Sequence, residues 1–274
     1  MRKLIALVVV VLVGLTATAH ATLVVGVTTR DGWVACADKR IYDTVRGGVD
    51  EETKVQRYGD RAIVAYVGGK RLYQLRVESS GRATPLGDLF NAAEVIEALS
   101  RTRAFDESAA FWTALSDSLV RRLSIVFEKD PGLQKRSTEN LRIIFHWNAL
   151  DGGQRRRIVD VIFVGRADVI SLLRDVEAYA EPVSQVKVAG ALVDIIESGK
   201  DSRFEVLRSD AQLRRFLFEK PLKAVVGASE VELFARRLIR VSSQRVEEIG
   251  LANQAHISPT SDCLSVAATA QKTL

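Results

Sequence analysis

Thr22 is the residue of this sequence whose type and position most directly suggest chemistry. It follows the small residues Ala19-His20-Ala21, where removal of a leader would make it the first residue of the mature chain. A threonine hydroxyl is a poor nucleophile until a base takes its proton, and an N-terminal threonine carries such a base in its own α-amine. The pKa of such an amine is normally about 7.7 to 8.0, so part of it is neutral near neutral pH. The predicted chemistry is nucleophilic attack on a carbonyl group by Thr22.

Residues 1–21 are predicted to be a secretory signal peptide. Basic residues at the start, an apolar run from Leu4 to Leu15 and the small residues before Thr22 occur in the required order. The apolar run is shorter than the ~20 residues that span a bilayer. We therefore expect a mature domain over residues 22–274 that is exported to the periplasm or the medium. The alternative is an uncleaved membrane anchor.

Composition limits the class of protein. The 274 residues are 47% hydrophobic and 27% charged, which is typical of a globular chain and excludes a disordered or coiled-coil one. The net charge of +5 is spread along the chain and only 7% of residues are aromatic, so no nucleic-acid partner is predicted. No phosphate-binding glycine loop is found, and His146 and His256 are isolated from other metal ligands, so no metal or other cofactor is predicted. Cys36 and Cys263 could pair after export or remain free buried thiols.

The order of predicted elements indicates a single α+β domain. Apolar, β-branched runs broken by turn residues predict two hairpins at the start and a third near the middle of the chain, and helical periodicity follows each group. Strands are predicted over 22–28, 33–37, 53–57, 62–67, 141–149, 157–164, 222–226, 254–257 and 264–267. Helices are predicted over 70–78, 92–100, 107–128, 169–178, 185–198 and 229–243. This order favours antiparallel sheets packed face to face with helices outside.

Three further candidate residues stand at the ends of predicted strands. Asp38 follows the second strand, Lys54 lies at the start of the third and Gly68 follows the fourth. Taken singly, Asp38 could form a surface ion pair with Arg40, Lys54 could belong to a solvated charged loop, and Gly68 could simply make a turn. Their common spacing from Thr22 decides between these readings.

In this spacing the sequence resembles the proteasome β-subunit family of N-terminal nucleophile hydrolases, which includes bacterial ATP-dependent ring peptidases. The matching features are the apolar strand Leu23-Val24-Val25-Gly26-Val27 after Thr22, Ala37-Asp38-Lys39-Arg40, which looks like the family's Ala-Asp-x-Arg signature, Lys54 at the place of its active-site lysine, and Gly68-Gly69 at the place of its oxyanion glycine. The resemblance covers residues 22–70, is architectural from 71 to 165 and is faint beyond. It favours the functional reading for Asp38, Lys54 and Gly68 and leaves Arg40 structural.

The resemblance implies a fold and a mechanism. The fold would be a four-layer αββα sandwich of two stacked antiparallel sheets flanked by helices. The activity would be threonine-type hydrolysis of peptide bonds, in which Lys54 tunes the Thr22 amine and stabilises a developing alkoxide. Asp38 would offset the charge of Lys54, and the backbone at Gly68 would bind the oxyanion.

The later part of the family pattern is only approximated. Ser229, in Gly227-Ala228-Ser229, stands near the place of the family's later serine, and the alternative is that it caps a helix. The family's Arg-Asp-x-x-Ser-Gly segment has no counterpart, although Ser242 and Ser243 lie in a comparable place.

The resemblance also implies assembly into a homo-oligomer, with a closed ring as one form. An ATPase partner is not expected, because an exported compartment is poor in ATP. Two other functions stay open. The first is an acylase that cleaves a small amide, because nucleophile chemistry does not select the acyl group. The second is a catalytically silent assembly or binding protein in which the Thr22 amine stays in a peptide bond.

Overall fold

The computed structural model describes residues 23–29, 32–43, 48–68, 70–77, 83–129, 140–149, 154–162, 170–175, 184–188, 191–197, 210–215, 227–248 and 257–267. The predicted leader, Thr22, His256 and the predicted strand at 222–226 lie outside these residues. Among the helices in the described ranges, none is long and apolar enough to cross a membrane.

Fourteen strands and four helices occur in these ranges. The strands are β1 (Leu23–Thr29), β2 (Gly32–Asp38), β3 (Arg40–Asp43), β4 (Gly48–Glu51), β5 (Val55–Tyr58), β6 (Ala62–Gly68), β7 (Arg71–Val77), β8 (Ala83–Asn91), β9 (Asn140–Asn148), β10 (Gln154–Ile162), β11 (Ile170–Asp175), β12 (Ser184–Val188), β13 (Ala191–Glu197) and β14 (Ser261–Ala267). The helices are α1 (Ala92–Thr102), α2 (Ala109–Lys129), α3 (Ala211–Arg214) and α4 (Ala228–Glu248).

Two five-stranded antiparallel sheets contain most of the strands. The first sheet has the order β12-β13-β1-β2-β14 and the second has the order β11-β10-β9-β6-β5. The small pairs β3–β4 and β7–β8 lie outside them. The hairpin β1–β2 belongs to the first sheet and the hairpin β5–β6 to the second, so the sequence-predicted hairpins are confirmed as antiparallel pairs. Gly59, in the turn of the second hairpin, has a φ of +56°, which glycine adopts at little cost.

Apolar side chains join the two sheets. Val24 and Ala37 of the first sheet share a buried cluster with Val55, Ala65 and Ile144 of the second. Burial at these positions explains the apolar runs of the strands. Every residue of β2 is buried, so its sequence does not alternate between buried and solvent-facing positions. The first and second hairpins are therefore held against each other by hydrophobic contact.

Helices pack against both sheets. α2 buries Phe111, Trp112 and Leu115 in a cluster with residues of β6 and β9, including Phe145. α4 contacts β1, β2 and β14 of the first sheet. The start of α1 is fixed by Asn91, whose side-chain oxygen accepts a hydrogen bond from the Ala93 N–H at 3.0 Å.

A disulfide between Cys36 and Cys263 links β2 to β14. The two residues face each other in the strand register, and their Cα atoms are 4.1 Å apart. Of the two possibilities that the sequence left open, pairing is therefore the one found. The bond connects positions separated by 227 residues and fixes the last described strand beside the second one.

Several elements of the middle region were wrongly predicted. Residues 71–77, 170–175, 185–188 and 191–197 were expected to be helical but lie in β7, β11, β12 and β13. Short apolar runs do not distinguish a strand from a helix, and these strands pair with β8, β10 and β1, which hold them extended. α4 also extends five residues beyond its predicted end.

His146 is buried at the contact between the sheets, as the prediction of a strand residue implies. Its ring lies 4.6 Å from that of Trp33. Neither ring nitrogen has a hydrogen-bond partner among the described residues. Burial, assisted by the charge of Arg156, lowers the pKa of His146 to about 3. The side chain is therefore neutral in the folded protein over most of the pH range.

The disulfide is expected to stabilise the fold. Because it closes a long loop, reduction should lower the free energy of unfolding by about 2–5 kcal/mol. Urea unfolding of oxidised and reduced protein measures this difference. The double variant Cys36→Ser/Cys263→Ser is the control and should not respond to reductant. Equal midpoints for oxidised and reduced wild-type protein would contradict the prediction.

His146 is expected to make the fold acid-sensitive. The folded pKa lies near 3, whereas an unfolded histidine titrates near 6.5, so the unfolded state binds the additional proton between these values. Stability should therefore fall as pH is lowered through this window, by up to about 1.4 kcal/mol per pH unit. In His146→Leu the loss between pH 7 and pH 4, measured by urea unfolding, should be smaller. An unchanged loss would refute this assignment.

Candidate active site

The best-defined polar site is built around the carboxylate of Asp38. This residue ends β2 and is fully buried. Its Oδ1 accepts a hydrogen bond of 2.8 Å from the backbone N–H of Leu23, the residue that follows Thr22 in the chain. The antiparallel pairing of β1 with β2 causes this approach, because it places the end of β2 beside the beginning of β1. Asp38 therefore fixes the backbone of Leu23, at the beginning of β1.

Lys54 forms an ion pair with Asp38 across the two sheets. Its Nζ lies 3.2 Å from Oδ1 and 3.1 Å from Oδ2 of Asp38, and only 7% of the lysine is exposed. Lys54 directly precedes β5 of the second sheet, whereas Asp38 ends β2 of the first. The packing of the sheets therefore creates the pair, and the alternatives of a surface ion pair and a solvated loop are excluded for these two residues.

Burial and charge act in opposite directions on the pair. Removal from water raises the pKa of Asp38, and the Lys54 ammonium and the Leu23 N–H oppose that rise. Removal from water likewise lowers the pKa of Lys54, against the attraction of Asp38. A buried lysine with a lowered pKa is more readily deprotonated than a surface lysine.

Two more backbone N–H groups bind Asp38. Arg40 donates to Oδ2 at 3.1 Å and Ser258 donates to the same oxygen at 3.3 Å. Ser258 precedes β14, whose Ser261 stands opposite Asp38 in the strand register. Ser258 could not be predicted from the sequence, because a donor that acts through its backbone leaves no mark on residue type. The only available signal was the serine- and threonine-rich segment before the last apolar strand.

The hydroxyl groups near Ser258 form a small network. Ser258 Oγ and Thr260 Oγ1 are 2.7 Å apart, and Thr260 Oγ1 donates to Glu51 Oε1 at 2.7 Å. Ser243 of α4 donates from Oγ to the carbonyl of Ile257 at 2.8 Å. These bonds hold residues 257–260, and thereby the Ser258 N–H, against Asp38.

Gly68 lies at the same end of β6 as Lys54. The Tyr66 N–H donates to the Lys54 carbonyl at 2.9 Å, and Gly68 follows two residues later, opposite Leu141. Glycine has no side chain that could obstruct approach to its backbone.

Ser229 is not part of this group. It is exposed in the first turn of α4, which begins at Ala228, so it does not occupy the N-cap position expected as its alternative role. Within the described ranges, no hydrogen bond joins Ser229 to Asp38 or Lys54. Thr22 itself lies outside the described residues. No cluster of three or more metal-ligating side chains is found in the described part of the chain.

Comparisons with known proteins find similarity among solved structures only. No protein-family model matches the chain. No curated protein matches it either. Among solved structures, it is similar to the Anbu (Gly-1) mutant from Hyphomicrobium sp. strain MC1, with 12% sequence identity and a TM-score of 0.40 over 90% of this chain and 82% of that one. This similarity is too distant to assign a family.

The Asp38–Lys54 pair is expected to contribute strongly to stability. Lys54→Met leaves a buried carboxylate without its cation and should lower the free energy of unfolding by about 3–5 kcal/mol. The double variant Asp38→Asn/Lys54→Met should lose less than the sum of the two single variants. A double-mutant cycle by urea unfolding measures this coupling. Losses that simply add would contradict a direct interaction.

Proposed function

We propose that the protein is an exported threonine hydrolase of the proteasome type that cleaves peptide bonds with Thr22 as its nucleophile. The observation that carries the proposal is the hydrogen bond from the Leu23 N–H to Asp38, combined with the Asp38–Lys54 ion pair. A buried carboxylate and a buried ammonium are thereby tied to the residue next to Thr22. Such a pair is costly to bury, and an adjacent nucleophile gives it a chemical role.

The proposed reaction begins when Thr22 Oγ attacks the substrate carbonyl and its proton passes to the free α-amine, directly or through water. Lys54 disfavours a protonated amine and stabilises the developing alkoxide, while Asp38 holds Lys54 in place. The backbone N–H groups at Gly68 would bind the oxyanion. Collapse of the tetrahedral intermediate breaks the C–N bond, and the leaving amine takes the proton. Water then hydrolyses the Thr22 ester and releases the second product.

The proposed architecture is the four-layer αββα sandwich. It is supported by the apolar contacts between the sheets, by α2 against the second sheet and by α4 against the first. The proposal extends to a mature domain over residues 22–274, released when a signal peptide at 1–21 is removed. The disulfide supports export, because such bonds persist mainly in oxidising compartments. We further propose a homo-oligomer without an ATPase partner.

Two other candidates use the same chain differently. An acylase would share the nucleophile but cleave a small amide instead of a peptide. A silent assembly or binding protein would retain residues 1–21, so that the Thr22 amine remained in a peptide bond. The mass of the protein recovered from the exported fraction separates the last case, since cleavage after Ala21 leaves Thr22 as the first residue.

The test is hydrolysis of a panel of peptides and small amides by the processed protein. Thr22→Ala should lower turnover by more than about a thousandfold without changing the fold, because it removes one hydroxyl group. Thr22→Ser should retain part of the activity. Thr113→Ala, which removes an exposed hydroxyl on α2, is the matched control and should be fully active.

A peptide electrophile that bonds both the hydroxyl and the amine should label Thr22 in the wild-type protein only. Unchanged turnover in Thr22→Ala, or an intact Met1 on the active protein, would overturn the proposal. Turnover of small amides alone would favour the acylase.

A further inference from the structure

A second buried lysine, Lys70, interacts with the charge of Lys54 and takes no part in the proposed reaction. Lys70 directly precedes β7 and is only 7% exposed. Its Nζ lies 2.6 Å from Glu52 Oε1 and donates to the Thr53 carbonyl at 2.7 Å. The ammonium also lies 5.3 Å from the centre of the Tyr66 ring. Glu52 and Thr53, the two residues that the Lys70 ammonium binds here, are the two that precede Lys54 in the chain.

These contacts fix the segment from which the Lys54 side chain departs. The Thr53 carbonyl and the Lys54 nitrogen belong to one planar peptide unit, so binding that carbonyl sets the orientation of the unit. The segment is held at its two ends by the Glu52 N–H, which donates to the Lys39 carbonyl at 2.7 Å, and by the Lys54 carbonyl, which accepts from Tyr66. Lys70 binds the segment between these two ends, at the Glu52 side chain and the Thr53 carbonyl.

The two lysines are linked by charge as well as by geometry. Burial and the charge of Arg40 lower the pKa of Lys54, whereas the charges of Asp38 and Glu52 raise it. Lys70 and Lys54 in turn repel each other, because the charge of Lys54 lowers the pKa of Lys70.

Glu52 is shared between two cations. Besides Lys70, the guanidinium of Arg71 lies 2.5 Å from Glu52 Oε1 and also pairs with Asp88 at 3.4 Å. Loss of Lys70 would leave more of the Glu52 charge acting on Lys54 and would remove a nearby positive charge. Both changes favour the protonated form of Lys54.

We propose that Lys70 is a positioning residue for the active site. It holds residues 52–54 in place and compensates the negative charge of Glu52. Lys54 thereby stays paired with Asp38 in the geometry and protonation state that catalysis uses. This inference rests on the proposed function. The opposing reading is a purely structural ion pair, which would contribute to stability without acting on Lys54.

The decisive measurement is the titration of Lys54, followed by NMR in protein labelled at the lysine side chains and assigned from its absence in Lys54→Met. In Lys70→Met the pKa of Lys54 should rise, and in Glu52→Gln it should fall. A structural ion pair predicts no such opposite displacement. Each variant alone has an expected direction of change in the pKa of Lys54. The test can therefore still be decided if one of the two variants fails to fold.

Activity provides the second readout. In Lys70→Met kcat should fall about ten- to a hundredfold with little change in KM, because a small displacement of a catalytic group is costly in rate. The midpoint of the pH–rate profile should move in the same direction as the Lys54 titration, and Lys70→Arg should restore part of the rate.

Arg61→Met is the matched control. Arg61 also binds a carboxylate and a carbonyl, those of Glu107 at 3.7 Å and Asn148 at 3.3 Å, but it stands before the opposite end of β6. It should alter neither kcat nor the Lys54 titration.

An unchanged Lys54 titration in both Lys70→Met and Glu52→Gln would overturn the inference. If the wild-type protein shows no turnover, the proposed function fails, and the Lys54 titration alone then decides the role of Lys70.

Discussion

The carboxylate of Asp38 is the group on which the rest of the described site depends. A fully buried carboxylate is stable only if cations and N–H donors replace the water it has lost. Besides the nearby Arg40 N–H, the donors come from three distant parts of the chain: Leu23 at the start of β1, Lys54 just before β5 of the second sheet and Ser258 before β14. Each of these donors is brought to Asp38 by a different contact within the fold. The sheets, the final strand and the beginning of the domain must all be in place before Asp38 is satisfied.

The two ends of the sheet pair are secured differently. At the Asp38 end, charge and backbone donors meet in a polar group. At the other end, the Asn148 side chain donates to the Ala267 carbonyl at 2.6 Å, and the Trp33 indole donates to the Trp147 carbonyl at 3.1 Å. Neutral hydrogen bonds between side chain and backbone thus lock one end. The buried Asp38–Lys54 ion pair lies at the end that carries the proposed chemistry.

The sequence predicted β1, β2, β5 and β6 well because their signals are local. Each hairpin has its turn residues between apolar strands, and the common spacing of Asp38, Lys54 and Gly68 from Thr22 singled out the pair that the structure brings together. Prediction failed for β13, an apolar run whose strand partner β1 lies far away in the chain. It failed also for Ser258 and Lys70, since the first acts through its backbone and the second through a carboxylate and a carbonyl. Neither role has a side-chain pattern that can be read in advance.

The position of β14 has a consequence for the order of assembly. This last described strand pairs with β2, and the segment before it supplies a donor to Asp38. A chain that emerges from its N-terminus, whether from the ribosome or through a translocation channel, presents β2 long before β14 can reach it. Contacts of such high sequence separation form slowly. The environment of Asp38 is therefore completed only after β14 has emerged, so the first sheet cannot reach its finished geometry while only the earlier part of the chain has been delivered.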